Sequence, residues 1–211
     1  MIIEVVLAQN ITLVYKALDL QAIETRKLKG FMKGQVKPMV MDTPEMIVVM
    51  YPQSPLVIQL GDRRIRITLQ KETKNLGEIP LWEIASKCNQ LVSESIIVAY
   101  GFNYDIGVKL ADKDAYAATI NLLVPDRRMI EDALEGRLLS FLPRIKFKRE
   151  QTLYDLVLEP KDKHHIKVHM NSHFESKDTP LPSETQLQGS FYGEYGYLTS
   201  MLPRLLLKGD K

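Results

Sequence analysis

The sequence predicts an α+β protein: duplicated β-α-β-β-β-α halves forming a curved, mainly antiparallel sheet, with helices packed on one face. Three observations carry that prediction. Short runs of residues alternate apolar and polar with a period of two between tight polar turns, the pattern of half-buried strands. Other stretches place apolar residues at helical spacing behind capping residues. The same order of elements also reads twice along 211 residues, over 1–94 and again over 95–211, packed as one compact unit.

The first strand begins at Ile3 and runs into Asp19, whose carboxylate suits a helix cap. Leu20, Ile23, Leu28 and Phe31 then give a helical stripe. Three strands follow, Met46–Tyr51, Pro55–Leu60 and Arg64–Gln70, turned at Pro52-Gln53-Ser54 and Gly61-Asp62-Arg63. Pro80 begins a helix with Leu81, Ile84, Ala85, Cys88, Leu91 and Val92 on its buried side.

The second half opens on the longest alternating run, Ile96–Leu110, with every even-numbered residue expected on the core face and Gly101 and Gly107 as places for a bend. A shift of 93 residues lays Ile3, Val5, Asn10, Lys16, Asp19 and Ala22 on Ile96, Val98, Asn103, Lys109, Asp112 and Ala115. After Asp112 the apolar residues fit a helix or a second strand. A further helix starts at Asp126, carries Met129, Ile130, Ala133 and Leu134, and stops at Gly136. Strands Arg144–Arg149, Leu153–Glu159 and His164–Asn171 follow. Ser183 then caps a last helix whose inner residues are Leu187, Phe191, Tyr195, Leu198 and Leu202; Gly189, Gly193 and Gly196 predict an irregular middle. This order of elements resembles the duplicated saddle of the TATA-binding-protein fold class. The resemblance is one of order alone, and it implies a saddle-like sheet, not an activity.

Composition narrows the function classes. With 28 basic and 26 acidic side chains the net charge is +2, so any anion site must come from local clustering. The lone Cys88 forms no internal disulfide, which points to a reducing compartment. Glu4 interrupts the first apolar run, and no segment is long and apolar enough for a transmembrane helix. The expectation is a cytoplasmic protein with no membrane partner.

Local clustering does occur. Opposite the core-facing residues of their strands stand Arg64 and Arg66, then Arg144, Lys146 and Lys148, then Lys167. If these strands share a sheet, the six residues form a cationic face able to hold an anion or nucleic acid; the alternative is that they solvate the sheet and deter edge pairing. His165, His169 and His173 would make a metal stripe on a helix, but on a strand residues four apart are separated by roughly 13 Å. Neither G-x-G-x-x-G nor G-x-x-x-x-G-K-S/T occurs, nor G-x-S-x-G or H-E-x-x-H, and no cofactor is expected. The tyrosine- and glycine-rich stretch from Gly189 to Tyr197 suits either helix packing or a partner surface. The function read from these features is a non-catalytic binding or assembly module that engages a protein partner or its own copy through an open sheet face or edge. The alternatives are an anion or nucleic-acid binder on the basic face, and an enzyme with its pocket between the halves.

Overall fold

A computed structural model of the chain describes residues 1–32, 37–92, 94–111, 113–123, 126–176 and 179–207. Period-two alternation becomes nine strands in one antiparallel sheet. They are β1 (Ile2–Tyr15), β2 (Met39–Asp42), β3 (Met46–Tyr51), β4 (Leu56–Gly61), β5 (Arg64–Leu69), β6 (Ile97–Lys109), β7 (Arg144–Arg149), β8 (Thr152–Pro160) and β9 (His165–Glu175). Their order across the sheet is β2-β3-β4-β5-β1-β6-β9-β8-β7, so β1 and β6 pair at its centre and β2 and β7 form its open edges.

Among the described residues five helices accompany the sheet: α1 (Thr25–Leu28), α2 (Leu81–Leu91), α3 (Ala115–Leu123), α4 (Arg127–Ala133) and α5 (Glu184–Leu206). Of these, α2 packs on β1 and β5, α5 on β6, and α3 on β8. The core lies between them and the sheet. Ile11, Leu13, Ile58, Ile65, Ile67, Phe102, Tyr104, Val168 and Met170 point into it from the strands; Leu81, Ala85, Leu187, Phe191 and Leu202 come from the helices. Each of the large aliphatic and Phe side chains among them contributes about 1.5–3 kcal/mol by leaving water. Phenolic tips tie the layers together: Tyr104 Oη donates to the Phe191 carbonyl at 2.6 Å, and Tyr15 Oη to Asn89 Oδ1 at 3.0 Å. No helix among the described residues is long and apolar enough to cross a membrane.

Several expectations are corrected. In β6 a bulge leaves Val98 without a partner on β1, since Val14 pairs with Ala99 and Tyr15 with Ile97. The bulge reverses the alternation, so Ile97 enters the core while Ile96 and Val98 are exposed. The helix expected after Asp19 shrinks to the single turn of α1, because Asp19 Oδ1 accepts from Gln21 N at 3.0 Å and closes a local turn instead of capping a helix. The strand β2 was not expected. The segment after Asp112 is helical: Asp114 Oδ1 accepts from Tyr116 N and Ala117 N at 2.9 and 3.1 Å, and Asp112 itself lies outside the described residues.

The helix at Asp126 forms and is capped as expected, but it buries none of its residues; Met129 and Leu134 are 66% and 62% exposed. Its stop is Glu135, at a positive φ of 48°, with Gly136 N bonding back to the Glu131 carbonyl. The last helix is continuous, not irregular. A Cβ at Gly189, Gly193 or Gly196 would meet nothing within 4 Å, and Leu187, Phe191, Leu198 and Leu202 hold the opposite side in the core.

Candidate functional site

Among the described residues, none of the helices packs on the centre of the sheet face opposite the core. There β5, β1, β6 and β9 line a shallow concavity of about 570 Å³ with Arg64, Arg66, Thr68, Thr12, Asn103 and His169 among its walls. A second hollow of about 330 Å³ adjoins it on the far side of the two arginines, bounded by Thr43, Glu45, Gln59 and Asp62.

Register builds the floor of the larger concavity. Thr68 on β5 stands opposite Asn10 on β1, Asn10 opposite Asn103 on β6, and Asn103 opposite Asn171 on β9. Their side chains form one chain of bonds across four strands. Asn171 Nδ2 donates to Asn103 Oδ1 at 2.7 Å, Asn103 Nδ2 to Asn10 Oδ1 at 2.8 Å, and Asn10 Nδ2 to Thr68 Oγ1 at 2.6 Å. Thr12 Oγ1 also donates to Asn10 Oδ1, at 2.7 Å. The three cross-strand donations all run towards β5, so the Thr68 hydroxyl ends the chain with its own proton unclaimed among the described residues.

Charge is distributed unevenly over this face. Asp105 Oδ1 lies 2.5 Å from His169 Nδ1, and Asp105 Oδ2 lies 3.0 Å from Lys167 Nζ. Burial pushes the Asp105 carboxyl up, but the bonds from His169 and Lys167 outweigh it and hold the group below its ordinary range. Arg144 grips Asp155 through Nη2 at 2.5 Å and Nε at 2.9 Å, which keeps Asp155 low and Arg144 high. Of the six residues expected to form a cationic face, Arg144 and Lys167 are paired with carboxylates. Arg64, Arg66, Lys146 and Lys148 have no ion pair among the described residues. The first two stand on β5; the other two stand on the edge strand β7.

The three histidines of β9 have separate surroundings. His165 Nδ1 contacts Asp162 at 2.8 Å, His169 contacts Asp105, and His173 pairs across to Gly101. Among the described residues no three His, Cys, Asp or Glu side chains come together as a metal site. Cys88 is buried in the core, and burial pushes its thiol far up, away from the reactive thiolate.

Sequence reasoning placed Thr68 and Asn171 on the polar face of their strands but missed Asn10, Thr12, Asn103 and Asp105 as lining residues. The signal available was their position: each falls on the polar phase of an alternating strand. What defines the chain at this point is its class, an α+β protein whose open nine-stranded antiparallel sheet is covered by helices on one face. Compared with known proteins, it matches no protein-family model and no curated sequence.

Proposed function

We propose that the protein is a non-catalytic binding module that takes its partner, another protein or a second copy of itself, on the uncovered sheet face. The observation that carries this reading is the central concavity, whose floor of bonded Thr and Asn side chains is already ordered before a partner arrives. Preorganisation of this kind lowers the entropic cost of binding. Asp105 in the concavity's wall and Asp155 on the neighbouring strand β8 are both held low by paired cations, the opposite of what a general base near neutral pH requires.

Duplication of residues 1–94 and 95–211 is part of the same reading, and two features support it. Strands β3, β4, β5 and β1 follow one another across one side of the sheet as β7, β8, β9 and β6 do across the other. A shift of 93 also carries Asn10 onto Asn103, and these two residues face each other across the central pair, as an approximate two-fold axis between them requires. The analogy with the TATA-binding-protein saddle rests on the same repeated order.

Capture from a lysate, with light scattering on each sample, tests the reading. Thr12→Trp fills the uncovered face, while Ser200→Trp adds the same bulk to an exposed position on α5. The expected result is a partner or second copy held by wild type and Ser200→Trp and lost with Thr12→Trp. Retention by a folded Thr12→Trp variant overturns it.

A further inference from the structure

Within the strands of the open face, Arg64 and Arg66 alone among the described Lys and Arg residues combine two features: they stand on a strand paired on both sides, by β4 and by β1, and they have no ion pair. Cations on an edge strand have a sufficient structural reason, because they deter pairing with another chain. Arg144, Lys146 and Lys148, on the terminal strand β7, have that reason. Arg64 and Arg66 do not. Nor does either have a carboxylate partner among the described residues, although Lys167 and Arg144 on the same face each have one.

Two residues apart on one face of a strand, their backbones lie ~7 Å from each other. Unpaired, the two guanidinium groups repel. The hydroxyl of Thr68, next along the same face, adds a donor whose proton is unclaimed among the described residues, since Thr68 Oγ1 only accepts from Asn10. Thr12, across from Arg66, has already given its proton to Asn10. Glu45 and Asp62 border the smaller hollow and repel an anion there, so the larger concavity is the side an anion would occupy.

We infer that Arg64, Arg66 and the Thr68 hydroxyl form a site for a compact oxyanion, the phosphate or diphosphate group of a small ligand. Guanidinium forks match phosphate oxygens in pairs, and the hydroxyl supplies a further donor. A long polyanion fits less well. Within the strands of this face, the next cations without an ion pair among the described residues, Lys146 and Lys148, lie five strands away, ~24 Å at ordinary strand spacing. The face between them carries Asp105 and Asp155 in neutral pairs. The inference rests on the uncovered face being the binding surface, and it adds the chemistry of what one part of that surface holds.

The test is calorimetric titration with inorganic pyrophosphate at low ionic strength. Wild type is expected to give saturable binding, weakened at least ~10-fold in Arg64→Gln/Arg66→Gln by the loss of two charge-assisted contacts. Lys146→Gln/Lys148→Gln removes the same charge and is expected to stay within ~2-fold of wild type, as distant screened charges do. Arg66→Lys keeps the charge but loses the fork. It is expected to fall between, and it keeps the test open if the double arginine variant does not fold. Absence of saturable binding overturns the inference, and so does equal weakening in both double variants. A single-stranded oligonucleotide bound more tightly than pyrophosphate, and released by both double variants, replaces it with a polyanion surface. If pyrophosphate fails while Thr12→Trp still abolishes partner capture, only the oxyanion site falls; if Thr12→Trp changes nothing, the open-face reading falls with it.

Discussion

Replacing Asp105 by Asn removes the charge that holds Lys167 and His169 against the sheet while keeping nearly the same shape. Hydrogen bonds to charged groups contribute about 1.5–3 kcal/mol when well shielded, and exposed ion pairs about 0.2–1 kcal/mol. Asp105 lies between these limits: its side chain is 22% exposed, and those of Lys167 and His169 are 35% and 41% exposed. Discounted for that solvent, the loss comes to ~1–2 kcal/mol, which for a chain of this size lowers Tm by about 2–8 °C. The direction with pH follows from the depressed native pKa. The stabilisation is complete above the unfolded value of about 3.9 and is lost as pH falls through the lower native value. Urea midpoints of wild type and Asp105→Asn should therefore differ near neutral pH and converge in acid, once the pH has fallen through the lowered native pKa. Equal midpoints at neutral pH, or a gap that persists undiminished in acid, would refute the role given to these contacts.

Three further outcomes follow from the packing. Gly77→Ala should destabilise by ~1–3 kcal/mol in thermal unfolding, because Gly77 has φ +78° and a Cβ there would lie 2.2 Å from Tyr192 Oη. Cys88 should resist a thiol reagent in the native protein and react promptly once denaturant opens the core, as a buried thiol with a raised pKa must. Met129→Gln and Leu134→Gln should each move stability by no more than ~0.5 kcal/mol, since α4 buries neither side chain.

How much of this was legible varies with how local each cause is. β3 and β7 lie where alternation and turn residues put them, at Met46–Tyr51 and Arg144–Arg149, because period-two burial is written into each strand separately. The phase of β6 was not legible at its start. Ile96, Ile97 and Val98 are all apolar, so the run looks unbroken, and only pairing with β1 shows which residue bulges. The same limit applies to the site. Asn10 and Asn103 were recognisable as equivalent positions, but that they touch depends on antiparallel register between strands 93 residues apart. Asp105 faces His169 from 64 residues away, so the residues that neutralise Lys167 and hold His169 leave no trace in local spacing. Arg64 and Arg66 were visible as a basic pair; their interior position, which separates them from the edge cations of β7, was not.

The central pairing of β1 with β6 also sets a constraint on how the chain reaches its fold. β1 acquires one neighbour when β5 forms and the other only when residues 97–109 arrive, so for much of assembly one side of a fourteen-residue strand remains an open edge. Loops this long close slowly, and unsatisfied strand edges are where partly folded chains stick to one another. A fragment ending at Leu91 would carry that edge permanently. Soluble expression should therefore depend on the presence of β6, and the yield of a truncated chain on how well its exposed edge is shielded.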